Sequence, residues 1–258
     1  MNVIRSIFMA FAMFSCIPMP RIAWGTENLR YMLCALPLVG LPIGLVLWGW
    51  SALALPFGFG QVLFATGLTL LPIAVSGGIH LDGFCDTVDA LSSHADPAKK
   101  HEILKDPRAG AFAVIGVSCY VLAYFALCTE LRMRPDTVLL LAVMHVLSRV
   151  IGALCTLLYP ARTEQQGLAA TFRKSANKHM AAVILMIELI ACAVVLFLNN
   201  TPTAIAMMTC ALLVMLILHH IVQKQFCGMS GDLAGFAIQV SELMMLFAIV
   251  LIQRMVLI

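Results

Sequence analysis

Charge is scarce in this chain: only 11% of its 258 residues are charged, against 62% hydrophobic, and the formal net charge is +3. The few basic residues form no stripe of the kind that follows a nucleic-acid backbone, so nucleic acid is not an expected partner. Paired cysteines are also missing. The nine cysteines contain no C-x-x-C pair, most lie in apolar runs as structural thiols, and Cys85 and Cys227, which fall in polar motifs, have no thiol near them in sequence. His145, His219 and His220 come without a His-x-x-Glu pattern. Structural or catalytic zinc is therefore not expected. Residues 1–20 lack an A-x-A type cleavage site and end in Pro-Met-Pro, which reads as a retained helix at the membrane interface rather than a removed leader. No internal repeat, low-complexity tract or long linker divides the chain, so residues 1–258 are read as one domain.

What the chain has in surplus is apolar surface. A mean hydropathy of +0.98 exceeds what one soluble core can bury and points to an all-α, polytopic membrane bundle. Seven apolar spans follow the interfacial helix, at about 31–52, 57–76, 110–129, 137–159, 180–198, 203–222 and 233–253. Each approaches the ~20 residues that a helix rising ~1.5 Å per residue needs to cross a ~30 Å hydrocarbon layer.

With the amino terminus in the cytoplasm, twelve of the sixteen basic residues fall on that side. Arg132, Arg134 and Arg254 fall outside and Arg149 lies mid-span, so the positive-inside rule favours this orientation. The polar connections 77–109, 160–179 and 223–232 then all face the cytoplasm.

Against this background GGIHLDGFCDTVDAL, Gly77 to Leu91, is anomalous. It gathers His80, Asp82, Asp86 and Asp89 within ten residues. On a helix the three aspartates stand at i, i+4 and i+7 and fan over roughly 60° of one face. Helix-dipole contacts account for one such acid, or two. Three on one stripe repel unless a cation joins them, and hard oxygen ligands suit Mg²⁺, Mn²⁺ or Ca²⁺.

A second motif, HEILKDPRAGAF, runs from His101 to Phe112. Asp106-Pro107 predicts a helix start with Asp106 as N-cap. Lys105 and Arg108 beside it serve either as a positive-inside anchor or as a phosphate clamp. The third motif, FCGMSGDLAGFAIQVSE (Phe226 to Glu242), opens the last span. Its Gly228, Gly231 and Gly235 permit close backbone approach, and Ser230 or Asp232 is placed to cap a helix. Glu242 lies inside the span and is a functional candidate by its cost alone, with Glu188 a weaker one. Arg149 requires a carboxylate partner, for which the motif acids are candidates. Tyr159-Pro160-Ala161-Arg162 and Gly167 read as turn residues.

Together these motifs resemble the cobalamin synthase family, the membrane adenosylcobinamide-GDP ribazoletransferases. The resemblance runs through Phe14 to Pro20, the pattern HxDGxxDxxDA, KDPRAGAF, Ser148-Arg149, Tyr159 to Arg162, Gly167 and CGMSGDLAGF, in order along nearly the whole chain. It departs at Cys16, Cys227 and Ala109, where Arg, Gly and a larger aliphatic residue are expected.

The resemblance implies a reaction. A ribose hydroxyl of α-ribazole, or of its 5′-phosphate, attacks the cobinamide-side phosphorus of adenosylcobinamide-GDP, and GMP leaves. It further implies Mg²⁺ on Asp82 and Asp86, with Asp89 as a third ligand or as the base. His80 would orient a ligand or act as the base, and Lys105 and Arg108 would hold the diphosphate. Asp106 and Asp232 would bind metal or the guanosine end, with Arg149, Arg162 and Gly231 also at the substrate. The implied setting is a bacterial inner membrane with the site facing the cytoplasm, and small-residue helix faces admit a homo-oligomer.

Two other readings compete. An alcohol phosphotransferase of phospholipid synthesis also carries an Asp-rich helix, but no Ala-Arg pair follows Asp82-Gly83 here. A secondary transporter would show duplicated halves, and none is visible.

Overall fold

The computed structural model describes residues 2–23, 25–54, 56–132, 134–160 and 168–255, and among these every regular element is helical. In chain order the helices are α1 (Asn2–Phe14), α2 (Thr26–Leu29), α3 (Met32–Ala35), α4 (Gly40–Ala54), α5 (Gln61–Ser76), α6 (Ile79–Ser92), α7 (Pro97–Ile103), α8 (Ala111–Glu130), α9 (Pro135–Leu158), α10 (Leu168–Ser175), α11 (Lys178–Asn199), α12 (Thr201–Ile221) and α13 (Gly231–Met255). A 3₁₀ turn at Pro37–Val39 leads into α4, and a π turn at Val222–Phe226 ends α12.

Among the described residues six helical stretches are long and apolar enough to cross a bilayer, and α5 with α6 makes a seventh only as a pair bent by 94°. Leu198, Phe57 and Leu45 stand 81%, 71% and 69% exposed. A soluble protein would not leave so many large apolar side chains in water, so this perimeter faces lipid. The chain is a multi-pass helical membrane protein.

Two helices form the axis of the bundle. In the apolar stretch of α9 72% of residues are buried and in α13 61%, against 22% in α8 and in α11. The stretch read as a first span at 31–52 is broken, because Pro37 interrupts the α-helical ladder and a 3₁₀ turn takes over. Helix α1 packs by Met9 and Ala10 on a second apolar cluster with Met32 and Val39, leaving Val3 and Ile4 outward. That matches a helix lying against the bundle rather than crossing it.

A buried polar pin joins the two axial helices. Glu242 Oε1 of α13 accepts from Arg149 Nη1 at 2.7 Å and from Ser148 Oγ at 3.0 Å, and lies 3.0 Å from His145 Nδ1, all on α9. Arg149 Nη1 also donates to the His145 carbonyl at 2.7 Å. Of the motif carboxylates, the partner that mid-span Arg149 requires is thus Glu242.

The helices alternate in direction, so the carboxyl ends of α5, α9 and α12 and the amino ends of α6, α8, α11 and α13 gather at one end of the bundle. At the other end Gln253 of α13 clasps the α8–α9 connection, accepting from Arg132 N–H at 3.0 Å and donating to Thr137 Oγ1 at 3.0 Å.

Candidate active site

The site is built at an elbow. Gly77 and Gly78 adopt φ of +66° and +75°, a region that costs a residue with a Cβ roughly 1–2 kcal/mol. Two in succession turn the chain through 94°. Helix α6 therefore leaves the line of α5 and crosses the ends of α8 and α13 instead of continuing outward. Cys16 N–H donates to the Val75 carbonyl at 2.8 Å, fastening the end of α1 to this elbow.

Where α6 crosses α13 the two backbones nearly touch. A Cβ on Gly83 would lie 2.9 Å from Asp232 Cα, and one on Gly235 would lie 2.9 Å from the His80 carbonyl oxygen. This contact brings Asp232 into the field of the α6 acids: Asp86 feels the charges of Asp82, Asp232 and Asp89, and Asp82 also acts on Asp232. Ser230 Oγ accepts from Leu233 N–H at 3.2 Å and so caps α13. Asp82 is exposed, while Asp86, Asp89 and Asp232 are half-buried.

Among the described residues no three His, Cys, Asp or Glu side chains already close on a common point as an ion site. The donor set is still all-carboxylate. Mg²⁺ usually takes one or two protein carboxylates and completes its shell with water and substrate phosphate, so an open, acid-lined face is compatible with it.

Asp89 has a second engagement. Its Oδ1 accepts from Ala113 N–H at 3.2 Å, and Gly110 packs directly on the same carboxylate. The amino end of α8, which has no side-chain cap of its own, is thus served by an acid from α6. This corrects the expectation that Asp106 caps a helix. Residues 106–110 are a loop, and α8 starts at Ala111 because that is where the Asp89 carboxylate meets it. Asp106 instead grips Arg108, accepting from its backbone N–H at 3.0 Å, Nε at 3.0 Å and Nη2 at 2.9 Å. These charge-assisted bonds hold the Asp106 carboxyl well below its ordinary range, at about 2.

The remaining sequence candidates distribute as follows. Lys105 and Arg108 sit exposed on the loop that Asp89 anchors. Arg149 is 1% exposed and committed to Glu242. Gly231 is exposed, with open space where a Cβ would go. Arg162 and Gly167 lie outside the described residues.

Beside the α6–α13 crossing is a cavity of about 260 Å³, lined by Asp82, Asp232 and His80 together with Phe14, Phe172 and Leu36. His80, 4% exposed, stacks on Phe14 with ring centroids 5.7 Å apart and planes 20° apart. Its Nε2 is buried without a hydrogen-bond partner. Phe172 on α10 carries no motif around it and gave no sequence signal. Phe14 was legible only as the start of the entry segment.

The description cobalamin-5-phosphate synthase belongs to a family model that matches residues 6–250. The chain belongs to this family. Its relatives include adenosylcobinamide-GDP ribazoletransferases of Lachnoclostridium phytofermentans, 34% identical over 99% of this chain and 97% of that protein, and of Geobacillus thermodenitrificans, 32% identical over 91% and 90%. One from Clostridium botulinum is 30% identical over 96% and 97%. No solved structure matches. The family is one of enzymes, and the acids, elbow and loop described above all fall within the matched residues.

Proposed function

We propose that this chain is an adenosylcobinamide-GDP ribazoletransferase: it joins adenosylcobinamide-GDP to α-ribazole or its 5′-phosphate and releases GMP. In this reaction a ribose hydroxyl oxygen bonds to the cobinamide-side phosphorus, the bond from that phosphorus to the GMP oxygen breaks, and the hydroxyl proton leaves to a base. The observation that carries the reading is the close crossing of α6 and α13, which sets Asp82 and Asp232 on the rim of one cavity with Asp86 and Asp89 further along the same helix, in a chain of this family.

Mg²⁺, held by Asp82 and Asp86 with Asp232 within reach, would supply neutralisation of the diphosphate charge that builds on the leaving oxygen. The chain's own groups do the rest. Lys105 and Arg108 present positive charge to the diphosphate from a loop whose position Asp89 sets. With one oxygen occupied by Ala113 N–H, Asp89 offers its other oxygen to metal or to the hydroxyl proton. Asp232 lies at the edge of the cavity from which the acceptor hydroxyl would approach.

The same reading puts the site at the cytoplasmic face of a bacterial inner membrane, since the polar nucleotide substrate must enter from water and the basic loops share that end. Neither competing class gains support. A midplane ion path would require the acids deep in the bundle, whereas Asp82 is exposed at its end.

The test is GMP release by the purified protein in lipid nanodiscs supplied with both substrates, with and without Mg²⁺. Release is expected only with Mg²⁺, and Asp82→Asn and Asp86→Asn are expected to lower it by roughly 100-fold or more. Normal turnover by well-folded variants of both would remove the metal assignment.

A further inference from the structure

Where α5 turns into α6, the bundle holds a small cavity of about 10 Å³ between α8, α9 and α13. Its lining is unusually polar for the inside of a membrane bundle. Gln239 and Glu242 come from α13, Tyr120 and Tyr124 from α8, and Thr69 and Ser76 from α5. Gln239, Tyr120, Tyr124 and Glu242 are 6%, 5%, 4% and 2% exposed.

The pin between α9 and α13 leaves these groups unfinished. Arg149, Ser148 and His145 all converge on Glu242 Oε1, so Oε2 has no partner among the described residues. The Gln239 amide and the hydroxyls of Tyr120 and Tyr124 make no hydrogen bond among the described residues either. Arg149 Nε and His145 Nε2 are sealed in without a partner. The Tyr hydroxyls, the Gln239 amide and Glu242 Oε2 are not sealed in this way; they keep accessible surface, and their residues line the cavity. Thr69 and Ser76 donate to the Ala65 and Ile73 carbonyls at 2.9 and 3.2 Å, which leaves their oxygens free to accept.

The occupant that completes this set is small, neutral, and both donor and acceptor. A carboxylate oxygen only accepts, so the occupant has to donate to Glu242, while a tyrosine hydroxyl can donate to it in return. Arg149 already balances Glu242. A cation would therefore leave an unpaired charge inside a low-dielectric bundle, and an anion would face the Glu242 carboxylate. An apolar chain, or an empty space, would strand the carboxylate oxygen, the amide and both phenols. The volume matches the roughly 10–15 Å³ that a single water needs as a minimum.

We propose that this cavity is the site of one bound water, which donates to Glu242 Oε2 and to the Gln239 side-chain oxygen and accepts from the hydroxyls of Tyr120 and Tyr124. The water is the polar link between α8 and the Arg149–Glu242 pin, since no side-chain hydrogen bond joins them directly among the described residues. This assignment does not depend on the transferase reading.

The experiment is a cryo-EM map of the full-length protein in lipid nanodiscs, at a resolution that shows ordered water. One compact peak is expected within about 3.2 Å of Glu242 Oε2 and of a tyrosine oxygen. Its absence while Glu242, Gln239, Tyr120 and Tyr124 are all resolved would overturn the site. A peak that gains density when the buffer cation is exchanged for Tl⁺ would reveal an ion and overturn the neutral occupant.

Radiolytic hydroxyl-radical labelling, read by mass spectrometry, gives a second measurement on the same preparation. Tyr120 is expected to be oxidised in spite of its burial, because the radical forms on the water beside it. Tyr124→Phe removes one bond to that water and should lower Tyr120 labelling by up to about tenfold, the equilibrium factor of one neutral hydrogen bond. Gln239→Leu, which sets an apolar chain in the cavity, should lower it as well. Unchanged labelling in both variants would show that no water is held there.

Discussion

A Cβ on Gly110 would lie 2.3 Å from both carboxylate oxygens of Asp89. Residue 110 therefore has to be glycine for α6 to cap α8. Asp89→Asn keeps an acceptor oxygen and should hold the stability of the wild type. Asp89→Ala and Gly110→Ala should each lose about 1 kcal/mol, the usual cost of a missing helix cap. Denaturant unfolding in detergent reads this separately from activity. Equal stability of Asp89→Ala and wild type would remove the capping role.

Glu242 and Arg149 are 2% and 1% exposed. Removing one charge strands the other, so Glu242→Gln or Arg149→Met should each destabilise the bundle by about 3–5 kcal/mol. The double variant should recover much of that loss, because no buried charge remains unpaired. A double-mutant cycle on unfolding midpoints measures the coupling. Simple additivity would show that the two side chains do not act as a pair.

Cys227 sits at φ +52°, at the position where the family resemblance leads one to expect glycine. A side chain there costs roughly 1–2 kcal/mol, while glycine gives back part of that through its freer unfolded chain, about 0.5–1 kcal/mol. Cys227→Gly should thus raise stability by about 0.5–1 kcal/mol, and Cys227→Val should lower it. The ordering of their thermal midpoints is the check.

Asp106 is held at about 2 by its bonds to Arg108. Because the folded-state value is depressed, the pair's contribution is present above the unfolded carboxylate range and is lost as pH falls through about 2. Between pH 5 and 8 it should be constant, so Asp106 is not expected to shape a pH–rate profile there. Carboxyl ¹³C NMR of the labelled protein should show Asp106 titrating near 2 and returning toward about 4 in Arg108→Gln.

Most spanning helices were legible because each is an apolar run of a length that bilayer thickness sets, but the run at 57–76 reads as a span of its own, whereas α5 has 16 residues and passes as a span only together with the bent α6. The acids of α6 were legible because three carboxylates on one face are costly without a purpose. What the sequence hid depends on contacts between distant residues. Nothing near Asp106 says that α8 will be capped from 24 residues upstream by Asp89. Glu242 lies 93 residues from Arg149, and nothing in the sequence singled it out among the motif acids as the partner. Gly77-Gly78 reads as an ordinary loop boundary until the 94° turn shows that α6 crosses the bundle instead of leaving it. Phe172 became interesting only when folding set it against Phe14.

The contact of Gly83 with Asp232, and of Gly235 with His80, also bears on how this enzyme can be damaged. Neither glycine has a side chain that could bind, donate or accept, yet adding a single methyl at either should pry α6 from α13 and widen the gap between Asp82 and Asp232. Random mutagenesis scored by corrinoid growth should therefore return inactivating changes at these two positions alongside those at the aspartates. Such lesions would act through bulk, and the smallest replacement, alanine, would already suffice.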